Sequence, residues 1–197
     1  LHLPPPTHFF GATAREAKVE FSSQLSLCDF GGVRGVKAEE TLAAGARVIA
    51  VPSSEALQVT SGMPSPPWVA APLWRQCKWD CQLALTLLNA EASAKSHGAS
   101  EARGAWLAML PTSFDTPLFW NADELALLRY PELTRLVEEQ RDEWTRKHKQ
   151  VVDFAGSGMK PSRERFFWAL SCVRSRAFSG PFSSGTFKAA AQQLAFG

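Results

Sequence analysis

Apolar positions along the chain first recur every second residue and then every third or fourth. In "KVEFSSQLSLCDF", Val19 and Phe21, then Leu25 and Leu27, alternate with polar residues, the period of half-buried strands. "GGVRGVKA" reads as a glycine turn leading onto a further strand, and "EETLAAGA" as a polar turn closed by Gly45. "RVIAVP" reads as a five-residue strand stopped by Pro52, and the four prolines of residues 61–72 mark a boundary. From residue 73 to 160 the period is helical. "LWRQCKWDCQLALTLLNAEA" puts Trp74, Cys77, Cys81, Ala84, Leu85 and Leu88 on one stripe of a helix. "SAKSHGAS" is a small, polar loop, and "AWLAMLPTSF" is a short apolar segment ended by Pro111. Asn121 with Glu124 behind it is a capping-box start, and Pro131 opens the next helix at its first turn. There Leu133, Leu136, Val137, Gln140, Trp144, Val151 and Val152 trace a broken stripe, the mixed-sign run 138–149 faces water, and Gly156 and Gly158 end the helix.

The next segment differs. In "RERFFWALSCVRSRAFSG", residues 163–180, an N-cap serine (Ser162) precedes a helix that is apolar nearly all round. Such a helix is a buried one. Its end carries Arg174 and Arg176, which point about 200° apart on a helix. A buried guanidinium needs an anion or a set of carbonyls. The residues alone leave Arg176 open between a structural and a ligand-binding role. Arg174 reads as structural, held by backbone carbonyls.

Composition narrows the classes. The chain has 197 residues, 45% hydrophobic, with seven Trp and thirteen Phe, which is enough for a packed core and excludes wholesale disorder. A net charge of +2 does not provide a nucleic-acid surface. No apolar run reaches the length of about 18 residues that spans a membrane. The start, "LHLPPPTHFFGATA", reads as an internal or processed end and not as a signal peptide. Of Cys28, Cys77, Cys81 and Cys172 only Cys77 and Cys81 are close, and with His97 and His148 isolated no four-ligand zinc pattern follows. These thiols read as buried helix residues, and sparse cysteines suit a reducing compartment.

Four stretches, in order, resemble the SET-domain family, in particular the split branch typified by the Rubisco large-subunit lysine methyltransferases. "GGVRGVKAEETLAAGARVIAVP" resembles the opening Gly-x-Gly turn and the "x-A-x-x-x-I-x-x-G-x-x-L-x-x-V-P" that follows it. "AWLAMLPTSFDTPLFWNADELALL" resembles the helical insertion's "W-x-x-Y-L-x-x-L-P … P-x-x-W-x-x-x-E-L-x-x-L". "ELTRLVEEQRDEWTRKHKQVV" resembles the long helix after it, and "FFWALSCVRSRAFS" resembles "W-A-x-x-x-V-x-S-R-x-F". The resemblance spans about residues 18–180. It implies an α+β fold in which small SET-type sheets are interrupted by a helical insertion. The expected segments are 1–60 for the first SET part, 61–165 for the insertion and 166–197 for the start of the second SET part, with the chain stopping before the SET fold is complete.

The resemblance also implies an activity: methyl transfer from S-adenosyl-L-methionine to a lysine of a protein substrate, without a metal. It assigns cofactor contacts to Arg176, with Ser175 beside it, and to the backbone of Gly32, Val33, Arg34 and Gly35. Here Gly32 and Val33 stand where the family has Glu and Gly, so Gly31 and Gly32 would supply the turn's flexibility one residue early. An ordinary hairpin turn is the alternative reading of this stretch. Arg176 is expected to be buried and aimed at that turn. Phe178 matches an aromatic of the target-lysine channel, with core packing as its alternative. Gly180 replaces a basic substrate-contacting residue of some plastid members, so Rubisco itself is not implied. Plastid, cytosolic and nuclear members all exist, and the compartment stays open. The family's Asn-His motif and channel tyrosine would lie beyond the chain end. The chain is therefore expected to be inactive alone, and the alternative is a non-catalytic SET-like fragment that binds other proteins.

Overall fold

A computed structural model describes residues 18–95, 101–155 and 158–178. The chain start, His97, Gly156 and residues 179–197, with Gly180 among them, lie outside the described residues. What is described mixes helices with short antiparallel strands, an α+β composition. It divides into two compact units, one of residues 18–56, 101–108 and 178, the other of residues 57–95, 109–155 and 158–177.

In the first unit β1 (Glu20–Phe21) pairs antiparallel with β4 (Ile49–Ala50), Glu20 opposite Ala50 and Phe21 opposite Ile49. β2 (Leu25–Asp29) and β3 (Arg34–Ala38) form a hairpin, from Leu25 opposite Ala38 to Asp29 opposite Arg34. The alternating apolar residues of the sequence thus become strands, but the five-residue strand expected over "RVIAVP" shrinks to Ile49–Ala50. Its partner β1 is only two residues long, and one further bond, from the Ser22 N–H to the Val48 carbonyl at 2.9 Å, closes the pairing. Helix α3 (Glu101–Ala108) belongs to this unit, where the Arg103 guanidinium donates to the Ser54 carbonyl at 3.4 Å.

The second unit is helical. The single helix expected from residue 73 is two, α1 (Ala71–Gln76) and α2 (Trp79–Lys95). Cys77 turns extended between them, at φ −70° and ψ 136°, and its N–H closes onto the Leu73 and Trp74 carbonyls. The Gln82 side-chain amide then donates to the Trp74 carbonyl at 2.8 Å. A carbonyl at the helix end therefore finds a side-chain partner, which lets α1 stop there. The proline-rich stretch before α1 is fastened to this unit. The Trp74 indole donates to the Met63 carbonyl at 2.9 Å, the Trp68 indole to Asn89 at 3.1 Å, and Pro66 and Val69 are buried.

α4 (Ala122–Ala126) begins with both bonds of the capping box, Glu124 N–H to Asn121 Oδ1 at 2.9 Å and Asn121 N–H to Glu124 Oε2 at 2.7 Å. α5 (Pro131–Phe154) starts on its proline and buries Val137, Trp144 and Val151. Leu136, expected on that stripe, is half-exposed. The charged run is also less uniform than expected, because Arg141 turns inward. Its guanidinium donates to the carbonyls of Pro117 (2.7 Å), Leu118 (3.1 Å) and Trp120, pinning the preceding loop.

α6 (Arg163–Arg176) is the buried helix of the sequence reading. Ser162 accepts the Arg165 N–H at 3.2 Å, and the eight residues from Phe166 to Val173 are all buried. No amphipathic helix can bury eight consecutive residues, since these cover its whole circumference. α6 packs chiefly on α2, with Ala84, Leu85, Leu88, Phe166 and Leu170 essentially inaccessible, and on α5, where Phe167 meets Trp144 edge to face at 5.2 Å. The Trp168 indole N–H, the polar atom that burial would otherwise strand, donates to the Pro111 carbonyl at 2.6 Å.

At the start of α6, Arg165 forms a two-pronged pair with Glu91 of α2, at 2.9 and 2.6 Å, while stacking over Trp168. Burial pushes the Glu91 carboxyl up, but its hydrogen bonds to Arg165 and Lys95 outweigh this and hold it below the ordinary value of 4.5. A carboxylate with a lowered folded value stabilises the fold above its unfolded value and stops doing so as the pH falls through the folded one. Thermal unfolding between about pH 5 and pH 3 should therefore show the melting temperature of the wild type falling on acidification. The Arg165→Ala variant should show a flatter profile over the same range. Parallel profiles would remove Glu91 from the acid sensitivity.

Candidate functional site

The residues that the sequence marks for the cofactor belong to different units: the glycine turn to the first, Ser175 and Arg176 to the second. The turn connects β2 to β3. Gly31 and Gly32 take the positive φ values, 72° and 92°, so the left-handed conformations fall on glycines and none falls on Val33. Asp29 Oδ1 accepts the Gly32 N–H at 2.6 Å, and the Phe30 N–H reaches the Val33 carbonyl at 2.8 Å. Val33 projects outward, about two-thirds exposed. Arg34 and Gly35 are already in the strand, opposite Asp29 and Cys28. Gly35 is small for a local reason, because a Cβ there would lie 2.9 Å from the Phe30 ring. As described, the stretch is a β-hairpin turn fastened by Asp29.

In the second unit, Arg176 is exposed, contrary to the expected burial. Burial along α6 ends at Val173, and the chain leaves the helix at Ala177, whose N–H closes onto the Val173 carbonyl at 2.8 Å. The last turn therefore stands clear of the core, and its two cations face the carbonyl end of the helix, where positive charge is favoured. Ser175 Oγ donates to the Ser171 carbonyl at 2.6 Å and accepts a hydrogen bond from Arg176 Nη1. The Arg176 guanidinium carbon lies 5.6 Å from the centre of the Phe114 ring. Among the described residues no carboxylate pairs with it.

Arg174 is structural, but its partner is not the expected set of carbonyls. Its Nη1 meets Asp80 Oδ2 at 3.3 Å, and carbonyls hold Arg141 instead. Asp80 is 5% exposed in the first turn of α2, where it also accepts the Cys81 N–H at 2.8 Å and has Lys147 at 4.0 Å. Lys147 pairs in turn with Glu143 at 3.2 Å. These groups line a shallow cleft of about 330 Å³ together with Lys78 and the exposed Trp79. The signal for it was available, because Asp80 shares a helix face with Ala84, Leu87 and Leu88, and an acid on an apolar face requires a cation.

The other marked residues have plain surroundings. Phe178 is 89% exposed. Tyr130, the single tyrosine, precedes α5 and is exposed. His148 Nε2 lies 2.8 Å from the Pro161 carbonyl, and no group of metal-binding side chains occurs among the described residues. No described helix is long and apolar enough to cross a membrane. No protein-family model matches the chain, and neither any curated protein nor any solved structure matches it significantly.

Proposed function

We propose that the chain carries the opening part of a split SET-type methyltransferase that uses S-adenosyl-L-methionine to methylate a lysine of a protein substrate. One observation carries this reading beyond the order of the motifs. Arg165 and Arg174, on the same helix, each have a carboxylate partner; among the described residues Arg163 and Arg176 have none, and of these two Arg176 is the one in the Ser-Arg motif. It is instead supported by Ser175 and set beside the Phe114 ring. A guanidinium without an acid suits an external carboxylate, which it can grip through two parallel hydrogen bonds. The donor set therefore fits the carboxylate of the cofactor, which supplies an electrophilic methyl group when bound.

On this reading each residue has a role. Arg176 binds and orients, and Ser175 fixes the plane of the guanidinium. For the backbone of Gly32, Val33, Arg34 and Gly35 and for Phe178, which belong to the other unit, the roles at the cofactor and at the lysine path rest on the family resemblance alone. That lysine must be neutral to attack, although its free pKa is near 10.4, and an apolar, dry channel lowers it by desolvation. Positioning then supplies much of the rate without a covalent intermediate. The sequence contains no Asn-His pair, and Tyr130 is exposed outside this set. Cofactor binding without methyl transfer is therefore the expected behaviour of the 197-residue chain.

Equilibrium dialysis with S-adenosylmethionine labelled in the methyl group tests this. Saturable binding displaced by S-adenosylhomocysteine is expected, with no label entering added protein. Absence of displaceable binding would contradict the reading. A second reading, an interaction module, is favoured by the exposed apolar residues Phe30, Val33 and Val36 on the hairpin, and it predicts that absence.

A further inference from the structure

Cys77 and Cys81 form a pair that the proposed cofactor site does not use. In one continuous helix they would be stacked a turn apart. The break after Gln76 changes this, since Cys77 sits in extended backbone ahead of α2 and Cys81 lies in the first turn of α2. The Cys81 thiol donates to Cys77 Sγ at a sulfur–sulfur distance of 3.3 Å. A disulfide needs about 2.05 Å, so the sulfurs must approach by roughly an ångström.

The two sulfurs are not equivalent. Both border a small cavity of about 100 Å³ shared with Lys147 and Gln150, but Cys77 is partly exposed and Cys81 is only 1% exposed. The hydrogen bond from Cys81, assisted by the Lys147 charge, holds the Cys77 thiol below the ordinary thiol value against burial and the Asp80 charge. The same bond, with burial, pushes the Cys81 thiol far up. Buried Cys172 is pushed up to about 11 by desolvation. Because the thiolate is the nucleophile, Cys77 is the more reactive of the pair and Cys172 is protected.

We propose that Cys77 and Cys81 are a reversible dithiol–disulfide site at the α1–α2 junction, with Cys77 attacking and Cys81 resolving, and a small-molecule disulfide as oxidant. The Cys77 thiolate attacks one sulfur of the oxidant, forming a mixed disulfide and releasing one thiolate. Cys81 gives its proton to solvent and attacks Cys77 Sγ, and the second half of the oxidant leaves as a thiolate. Two thiols thus lose two electrons and two protons, and the oxidant is reduced to two thiols.

The sequence provides a clean readout. Lys78 lies between the cysteines, so trypsin separates peptide 76–78 from peptide 79–95 unless the bond joins them. The full reduced chain is incubated with oxidised glutathione, quenched with iodoacetamide in denaturant and digested. The linked peptides should become the main cysteine product in the native chain, form faster than in chain unfolded in guanidinium, and disappear in excess reduced glutathione. Cys81→Ser should instead accumulate a glutathione adduct on Cys77. A Cys77 adduct that persists in the wild type without linkage, a pair left as free thiols, or linkage no faster in native than in unfolded chain would each overturn the proposal. The wild-type measurements do so whether or not the variant folds.

Discussion

Replacing Phe166 with alanine should destabilise the helical unit by about 3–5 kcal/mol, the range for removing a buried aromatic side chain. Phe166 has no exposed surface and opens the run of α6 that is buried on every side. The ring of His148 approaches it to 5.7 Å, and that histidine is itself positioned near the Pro161 carbonyl. A neighbour held in this way is poorly placed to move into the vacated space, so the cost should fall toward the upper part of the range. Total stabilities of single domains are about 5–15 kcal/mol, and the loss is a large fraction of that. Leu136→Ala is the matched control. Leu136 is half-exposed on α5, and its truncation should change stability by no more than about 0.5 kcal/mol. Urea unfolding followed by far-UV circular dichroism measures both. A loss below about 1 kcal/mol for Phe166→Ala would mean that α6 is not the centre of this unit.

The helical block was the most legible part of the chain, for local reasons. The cap at Ser162, the capping box of Asn121 and Glu124 and the proline opening α5 involve residues within one turn of each other, and each forms as its spacing implies. The buried helix was legible because an all-round apolar helix has only one stable environment. The break at Cys77 was not, since it depends on the Gln82 side chain reaching back to the Trp74 carbonyl, and the apolar stripe runs through it without interruption. The "RVIAVP" strand was over-read because strand length is set by the partner, and β1 has two residues.

The candidate site was legible by residue type more than by environment. The glycine turn is where the pattern put it, with the positive φ values on Gly31 and Gly32. The arginines required tertiary information. Periodicity indicates that Arg174 and Arg176 diverge, but not that the core stops at Val173, leaving Arg176 exposed, nor that Asp80, 94 positions away, pairs with Arg174. The carbonyl cage expected for an arginine exists around Arg141, in a run whose alternating signs read as uniformly solvated.

The central claim is that Arg176 receives the carboxylate of S-adenosylmethionine, and the most direct measurement is the affinity of the chain for that molecule with and without the guanidinium. Hydrogen bonds to charged groups contribute about 1.5–3 kcal/mol, so Arg176→Ala should weaken binding roughly 10- to 150-fold. Arg163→Ala removes the same charge from the other end of α6, where the side chain bonds Thr145 and lies over Phe167. It controls for net charge and should change affinity by less than about twofold. Arg176→Lys keeps the charge but loses the planar fork and should fall between the two. Isothermal titration of wild type, Arg176→Ala, Arg176→Lys and Arg163→Ala, each first checked for native circular dichroism, separates the outcomes. The account predicts affinity in the order wild type and Arg163→Ala, then Arg176→Lys, then Arg176→Ala; equal affinities for wild type and Arg176→Ala, or no binding by the wild type, would contradict it.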